Sequence, residues 1–183
     1  MRLPYELGDE YRLALRDGST VEAMHALTVS ELPRLRAWEP WAAADQTLAS
    51  AQSYAAFTAA SYEQGASLPT VIMHGRDAVG SASLRLDRYA GIGELGFWIA
   101  AAHEGRGVVT RACEALIKEA HSEGLARIEI RTAVMNTRSR AVAERLGFLH
   151  EGTLRSALPL NPRRADVALY GLVLAVGDGA HHP

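Results

Sequence analysis

The sequence predicts an α/β fold of the α+β kind, with one mixed central sheet of about seven strands flanked by about four helices. Three observations predict it. Short apolar or alternating runs recur in the order strand, helices, three strands, helix, strand, helix, two strands. The stretch over residues 109–120 carries a strong helical period. Glycines and capping residues punctuate the runs at their ends. At 183 residues the chain suits one domain with a substantial core, expected over residues 1–176 with 177–183 as a flexible tail.

Composition removes several classes of function. Lys and Arg total 19 against 21 Asp and Glu, a net charge of −2, which speaks against duplex nucleic acid as a partner because that affinity rests on many phosphate contacts. The single cysteine, Cys113, excludes an intramolecular disulfide and leaves no zinc-ligand spacing, so no metal is expected and the compartment is cytoplasmic. Its place on the apolar face of a helix makes it a small buried hydrophobe rather than a nucleophile. The first residues lack the apolar core of a signal peptide, and no apolar run approaches the roughly 20 residues of a spanning helix.

Residues 11–16 (YRLALR) alternate and predict a first strand. Asp17-Gly18-Ser19 turns out of it, and Ser19 or Thr20 can cap a helix to about Ser30. A second helical piece over 31–37 ends at Trp38-Glu39-Pro40-Trp41, where the proline forbids continuation. The two tryptophans there suit either the wall of a groove or the edge of a core. Residues 45–64 are alanine-rich and helical, stopped by Gly65. Residues 68–74 and 78–86 predict a hairpin around Gly75-Arg76-Asp77, and 94–100 a mostly apolar strand. In the helix that follows, Val109, Ala112, Cys113, Leu116, Ile117 and Ala120 share one face, and Gly124 closes it. Residues 126–134 predict a strand. Asn136 then caps a short helix over 137–146 that ends on Gly147, with Phe148 behind it. Residues 148–154 and 167–175 are the last two strands, with 155–165 expected as a loop between them.

The chain is organised around Glu104-Gly105-Arg106-Gly107-Val108-Val109-Thr110, a turn that delivers it into the periodic helix. Such a junction aims backbone N–H groups and the positive end of the helix dipole at one spot, a ready site for an anion. Alone it is a weak signal. It lacks the Lys-Ser/Thr of a triphosphate loop and the full spacing of a dinucleotide fold, and glycine at a sharp turn needs no ligand.

Three motifs in the same order resemble those of the GNAT superfamily of N-acetyltransferases, and most closely its RimJ/RimL-type branch of ribosomal-protein N-terminal acetyltransferases. They are the E-G-R-G-V-V-T turn, the preceding strand Leu95-Gly96-Phe97-Trp98-Ile99, and the A-x-x-N-x-x-S-x-x-V-x-x-R-x-G-F run from Ala133 to Phe148. The resemblance spans essentially the whole chain and implies the single-domain GNAT fold, with acetyl-CoA as cofactor. It implies that the backbone of Glu104, Gly105, Arg106, Gly107, Val108, Val109 and Thr110 cradles the pyrophosphate, with the Glu104 side chain turned away. Phe97, Trp98 and Ile99 would offer backbone groups to the pantetheine arm, and Asn136 and Ser139 would face the cofactor from the short helix.

The implied reaction is direct acyl transfer from the thioester to a primary amine, either a protein N-terminus such as that of a ribosomal protein or a small amine. It requires a base, an oxyanion donor and a proton for the leaving sulfur. The resemblance assigns the last role to Ser139, for which an N-terminal capping role is the plain alternative, as it is for Asn136. Glu94, opening the strand beside the cofactor, is the candidate base. His74, His103 and His150 are alternatives, since an imidazole's ordinary pKa suits proton transfer. Leu158 stands where some members of the branch carry a glutamate, which points to a water relay or another carboxylate. Transfer of succinyl or another acyl group, and a non-catalytic acyl-CoA-binding module, are the competing functions. Homodimers are common in the branch, so a homodimer is also an expectation.

Overall fold

The computed structural model describes residues 1–160 and 162–174. Eight strands form one sheet: β1 (Tyr5–Gly8), β2 (Tyr11–Leu15), β3 (Ser67–His74), β4 (Asp77–Asp87), β5 (Ile92–Ile99), β6 (Arg127–Ala133), β7 (Leu149–Leu160) and β8 (Arg163–Val173). Four α-helices join them: α1 (Val21–Leu35), α2 (Leu48–Glu63), α3 (Val108–Ser122) and α4 (Thr137–Arg145). The strand order is β1-β2-β3-β4-β5-β6-β8-β7. Only β5 and β6 run parallel, with α3 as the crossover that a parallel pair demands. The fold is therefore α+β, as expected, with one more strand than the seven predicted. The expected tail over 177–183 lies outside the described residues.

The two faces of the sheet are covered by different helices. Met24 of α1 packs with Val71, Ala78 and Trp98. The neighbouring residues Ile72, Val79 and Phe97 point the other way and pack with Val108, Ala112, Cys113 and Leu116 of α3. Cys113 is fully buried, and burial pushes its thiol pKa far up, so it serves as a core residue. The buried face of α3 is rotated slightly from the one expected. Val108 and Ala115 are buried, while Val109 and Ile117 are half-buried at its margin.

The expected Ser19 or Thr20 cap of α1 does not form, since the Thr20 side chain makes no cap bond and Asp17 instead caps the 3-10 turn Gly18–Thr20 ahead of it; the ends of α4 follow the expected chemistry. Thr47 and Ser50 form a reciprocal capping box at α2, and the Asn136 side chain accepts from the Ser139 N–H at 3.2 Å at α4. At the other end of α4, Gly147 N–H donates to Glu144 O and Phe148 N–H to Ala143 O, the paired bonds of a Schellman stop.

Three further expectations need correction. Residues 31–37 are not a separate helix, since α1 runs unbroken to Leu35 with Pro33 inside it. A proline so close to the end frees only the carbonyl four residues back, that of half-exposed Val29, which water can satisfy. The strand β1 was not foreseen because Tyr-Glu-Leu-Gly is too short to show a period. The expected loop over 155–165 is largely strand, with Leu158, Pro159 and Leu160 paired to Ala165, Arg164 and Arg163. Pro159 is tolerated because β7 is the edge of the sheet, where a missing N–H interrupts no second ladder.

Candidate active site

The site begins where β5 and β6 part. Their parallel ladder holds four registered pairs, from Ile92–Arg127 to Leu95–Ile130, and then stops. Beyond that fork β5 remains paired to β4 through Ile99–Gly80, and β6 remains paired to β8 through Ala133–Val167. The Ala100 N–H donates to Val79 O on the β4 side. By strand alternation Phe97 and Ile99 turn their N–H and C=O groups the opposite way, into the fork. Backbone groups in the interior of a sheet rarely go unpaired, so this row invites a ligand that can supply amides of its own.

Immediately after β5 the chain makes the glycine turn and enters α3. Gly105 (φ +73°) and Gly107 (φ +70°) both occupy the left-handed region that favours glycine. Gly107 is the N-cap and supplies no side chain, so the first N–H groups of α3 are not capped by a side chain. The contrast with the capped starts of α2 and α4 is chemical: here the helix end is left open for an anion. Gly105, Arg106 and Gly107 are exposed, Val108 is buried, and Val109 and Thr110 are half-buried. The Thr110 hydroxyl accepts from Arg145 of α4 at 3.4 Å.

The Glu104 side chain ties the turn to its neighbours. It pairs with Arg34 near the end of α1 and with Arg138 in the first turn of α4, and Glu31 pairs with the same Arg34. The carboxylate is thus directed at two arginines, and the start of α4, with Asn136 and Ser139, is bound to the mouth of the turn. Ser139 is half-buried, and among the described residues its hydroxyl makes no hydrogen bond.

On the α1/α2 face of the sheet lies a cavity of about 410 Å³. Gly96, Phe97 and Trp98, the first residues past the fork, form part of its wall, together with Ser81 and Ser83 of β4. The 3-10 turn Pro40–Ala43 contributes Trp41, with Glu39 just before it. Of the two readings left open for the tryptophans, Trp41 takes the groove; both rings are partly exposed. Glu39 accepts from the Trp41 indole N–H at 2.9 Å, and burial raises its carboxyl pKa above the ordinary carboxylate value. Arg16, at the end of β2, and Tyr54 of α2 complete another wall. β7 lies against the Pro40–Ala43 turn, so the last hairpin borders the same region.

Glu94 stands elsewhere. Its carboxylate is 2.5 Å from Arg85 and 3.8 Å from Arg131, and it does not line the cavity. His103 accepts from or donates to Tyr11 at 2.8 Å and stacks with His74, while His150 packs on Tyr170, so none of the three histidines lines the cavity either. Sequence reasoning missed Arg16, His25, Asp45 and Tyr54 as cavity residues. They come from separated stretches, and only the Pro40 break gave a local signal. Among the described residues no cluster suits a metal ion and no helix is long and apolar enough to cross a membrane.

A model of the acetyltransferase (GNAT) domain matches residues 12–149, and so takes in the fork, the turn and α4. The chain belongs to the GNAT acetyltransferase family. This GNAT chain is 43% identical over 95 residues to the putative ribosomal N-acetyltransferase YdaF of Bacillus subtilis, across 51% of its own length and 52% of that protein. It is 40% identical over 82 residues to the ribosomal-protein-serine acetyltransferase of Escherichia coli, across 44% and 46% of the two chains. The match thus spans about half the length of these curated relatives. Among solved structures it superposes on the microcin C7 self-immunity acetyltransferase MccE, in complex with acetyl-CoA and AMP. The TM-score is 0.88 at 25% identity, with 94% of this chain and 98% of that one covered.

Proposed function

We propose that the protein is an acetyl-CoA-dependent N-acetyltransferase that acylates a primary amine, with the N-terminus of a ribosomal protein as the leading acceptor. The observation that carries this is the fork in the sheet: unpaired backbone on β5 beside an open helix N-terminus, with a walled cavity on the adjoining face. The residues present fit the cofactor, since Phe97 and Ile99 offer amide partners for the pantetheine arm and the backbone of residues 104–110 offers N–H groups for the pyrophosphate. Bound acetyl-CoA would supply a thioester carbonyl open to direct attack by a neutral amine.

The chain's own groups then divide the work. A backbone N–H of β5 beyond the fork donates to the carbonyl oxygen as it gains charge. Ser139, whose hydroxyl is uncommitted, gives its proton to the departing sulfur, while Asn136 holds the helix turn that presents it. For the amine's proton, the position of Glu39 supports it better than that of Glu94. Glu39 lines the cavity with a raised pKa, whereas Glu94 is held by Arg85 and Arg131 outside it. The names of the Bacillus subtilis and Escherichia coli relatives support the ribosomal acceptor. The exposed edge strand β7 is a surface on which two copies could pair as a homodimer.

The test is release of free CoA from acetyl-CoA in the presence of N-terminal peptides of ribosomal proteins. Ser139→Ala should lower kcat by roughly two to four orders of magnitude while CoA still binds. Unchanged turnover would remove Ser139 from its role. No turnover with any amine by the unaltered protein would remove the transferase reading in favour of an acyl-CoA-binding module. Succinyl-CoA offered with the same acceptor decides the acyl preference.

A further inference from the structure

Most polar groups around the cavity are already committed. The His25 imidazole Nε2 bonds Gln46 O at 3.0 Å, and the Gln46 amide donates to Trp41 O and Ala44 O at 3.1 and 2.9 Å, holding the loop ahead of α2. Ser81 donates to Thr70 O, and Glu39 takes the Trp41 indole N–H. Asp45, Thr28 and Tyr54 make no side-chain hydrogen bond among the described residues, and neither does Arg16, the arginine that lines the cavity. Its guanidinium lies 4.6 Å from the centre of the Tyr54 ring, and among the described residues it has neither an ion pair nor a side-chain hydrogen bond.

Three other arginines find carboxylates: Arg34 takes Glu31 and Glu104, Arg138 takes Glu104, and Arg85 takes Glu94. A guanidinium has five donors in a rigid fork, and half-burying it against a ring face leaves them without a protein acceptor and open to water or a ligand. Burial also draws its pKa below the ordinary value, the mark of a charge that the fold does not compensate. Tyr54 fixes the plane of the fork, which leaves its N–H edge for a ligand. The same cavity carries negative charge at Glu39 and Asp45, on the segment that leads into α2. Its charges are therefore sorted, an acid-binding fork on one wall and carboxylates on another.

We propose that the acceptor carries a carboxylate a few bonds from its amine, and that Arg16, braced by Tyr54, holds that carboxylate while the amine is directed to Glu39. This rests on the amine-acylation reading above and narrows its substrate class. A volume of about 410 Å³ holds a free amino acid or the first two or three residues of a peptide, so the carboxylate comes from an amino acid's own α-carboxyl or from an acidic side chain near an N-terminus.

The test pairs acceptors that differ only in that group: Ser-Asp-Ala-amide against Ser-Asn-Ala-amide, and free serine against serine amide. The two pairs separate the two sources of the carboxylate. The acid should be preferred in kcat/KM by roughly ten- to hundredfold in at least one pair, expressed mainly in KM. Arg16→Gln should collapse that ratio toward one, and Arg16→Lys should restore part of it, because charge returns without the planar fork. A melting curve and CoA affinity for each variant control for folding. Equal use of acid and amide in both pairs, or an Arg16→Gln variant that keeps the preference, would overturn the proposal.

Calorimetric titration of the same ligands into protein saturated with CoA, where no acyl group can move, separates the two readings. Arg16-dependent binding of the acid without turnover with acetyl-CoA would sink the transferase reading alone. Equal affinity for acid and amide there would sink this one.

Discussion

Gly80 of β4 offers a direct test of how tightly β5 is held. Its neighbours explain the glycine without any appeal to backbone conformation. A Cβ built there would lie 2.5 Å from Trp98 O and 3.0 Å from Ile99 Cα, and real Cβ contacts essentially never fall below 3.0 Å. Both contacts are backbone, so no side chain can swing aside, and β5 must move at the residues that border the fork. Overpacking of this kind costs about 1–3 kcal/mol. Gly→Ala alone returns about 0.4–1 kcal/mol by stiffening the unfolded chain. The net loss for Gly80→Ala is therefore about 1–2 kcal/mol, or a fall in Tm of roughly 2–8 °C for a domain of this size. Gly152→Ala is the control, because nothing lies within 4 Å of its added methyl, and it should stay within about 0.5 kcal/mol of the parent. Differential scanning calorimetry reads the stability, and the KM for acetyl-CoA reads the strand, with a several-fold rise expected for Gly80→Ala only. If Gly80→Ala melts with the parent and keeps its KM, then β5 is not pinned by β4 in the way described.

Glu104→Gln separates positioning from binding. It removes two ion pairs worth about 0.2–1 kcal/mol each, so stability should fall slightly, and kcat should fall because α4 loses a tie to the turn. The KM for acetyl-CoA should not rise, since a negative charge beside the anion site has been removed; a rise in KM with kcat intact would refute this. Glu39→Gln tests the buried carboxyl. Because the folded-state pKa of Glu39 is raised, the native state binds its proton more tightly, and its contribution to stability is lost as pH rises from the ordinary carboxylate value through the raised one. The Gln variant should therefore be the more stable at pH 7, converge with the parent in acid, and turn over more slowly; equal melting curves at pH 7 would show that burial does not strain the carboxylate.

Local chemistry was the most legible part of the chain. The Asn136 cap, the Gly147 stop and the glycine pair at 105 and 107 each announce themselves within a few residues, because capping and left-handed turns are decided by immediate neighbours. The limits of α1 and of the last hairpin were misjudged: α1 runs through Pro33 to Leu35, and β7 runs through Pro159. A helix end or a sheet edge can absorb the missing N–H. The acceptor cavity was hardly legible at all. Arg16, Glu39 and Tyr54 stand on a strand end, a 3-10 turn and a helix, and only tertiary packing makes them one wall system. Glu94 shows the converse, since a carboxylate at the right place on a strand proved to face two arginines.

The fork also divides the sheet into two plates. One plate is β1 to β5, with α1 and α2 on one face and α3 on the other. The second is β6, β8 and β7 with α4. They share one core, in which Leu95, Val108 and Leu116 pack with Ile130, Ala143 and Phe148, but the sheet itself joins them through only four residue pairs, with the Glu104–Arg138 and Thr110–Arg145 contacts across the gap. A seam of that kind is where a sheet opens with less than its global unfolding free energy. A molecule that bonds both lips would act as a rivet, adding cross-links to the joint and raising the cost of separating the plates by RT ln(1 + [L]/Kd). Amide exchange at Phe97 and Ile99 reports on the joint itself. Loading of the enzyme would appear there as a mechanical event, the open end of the seam closed.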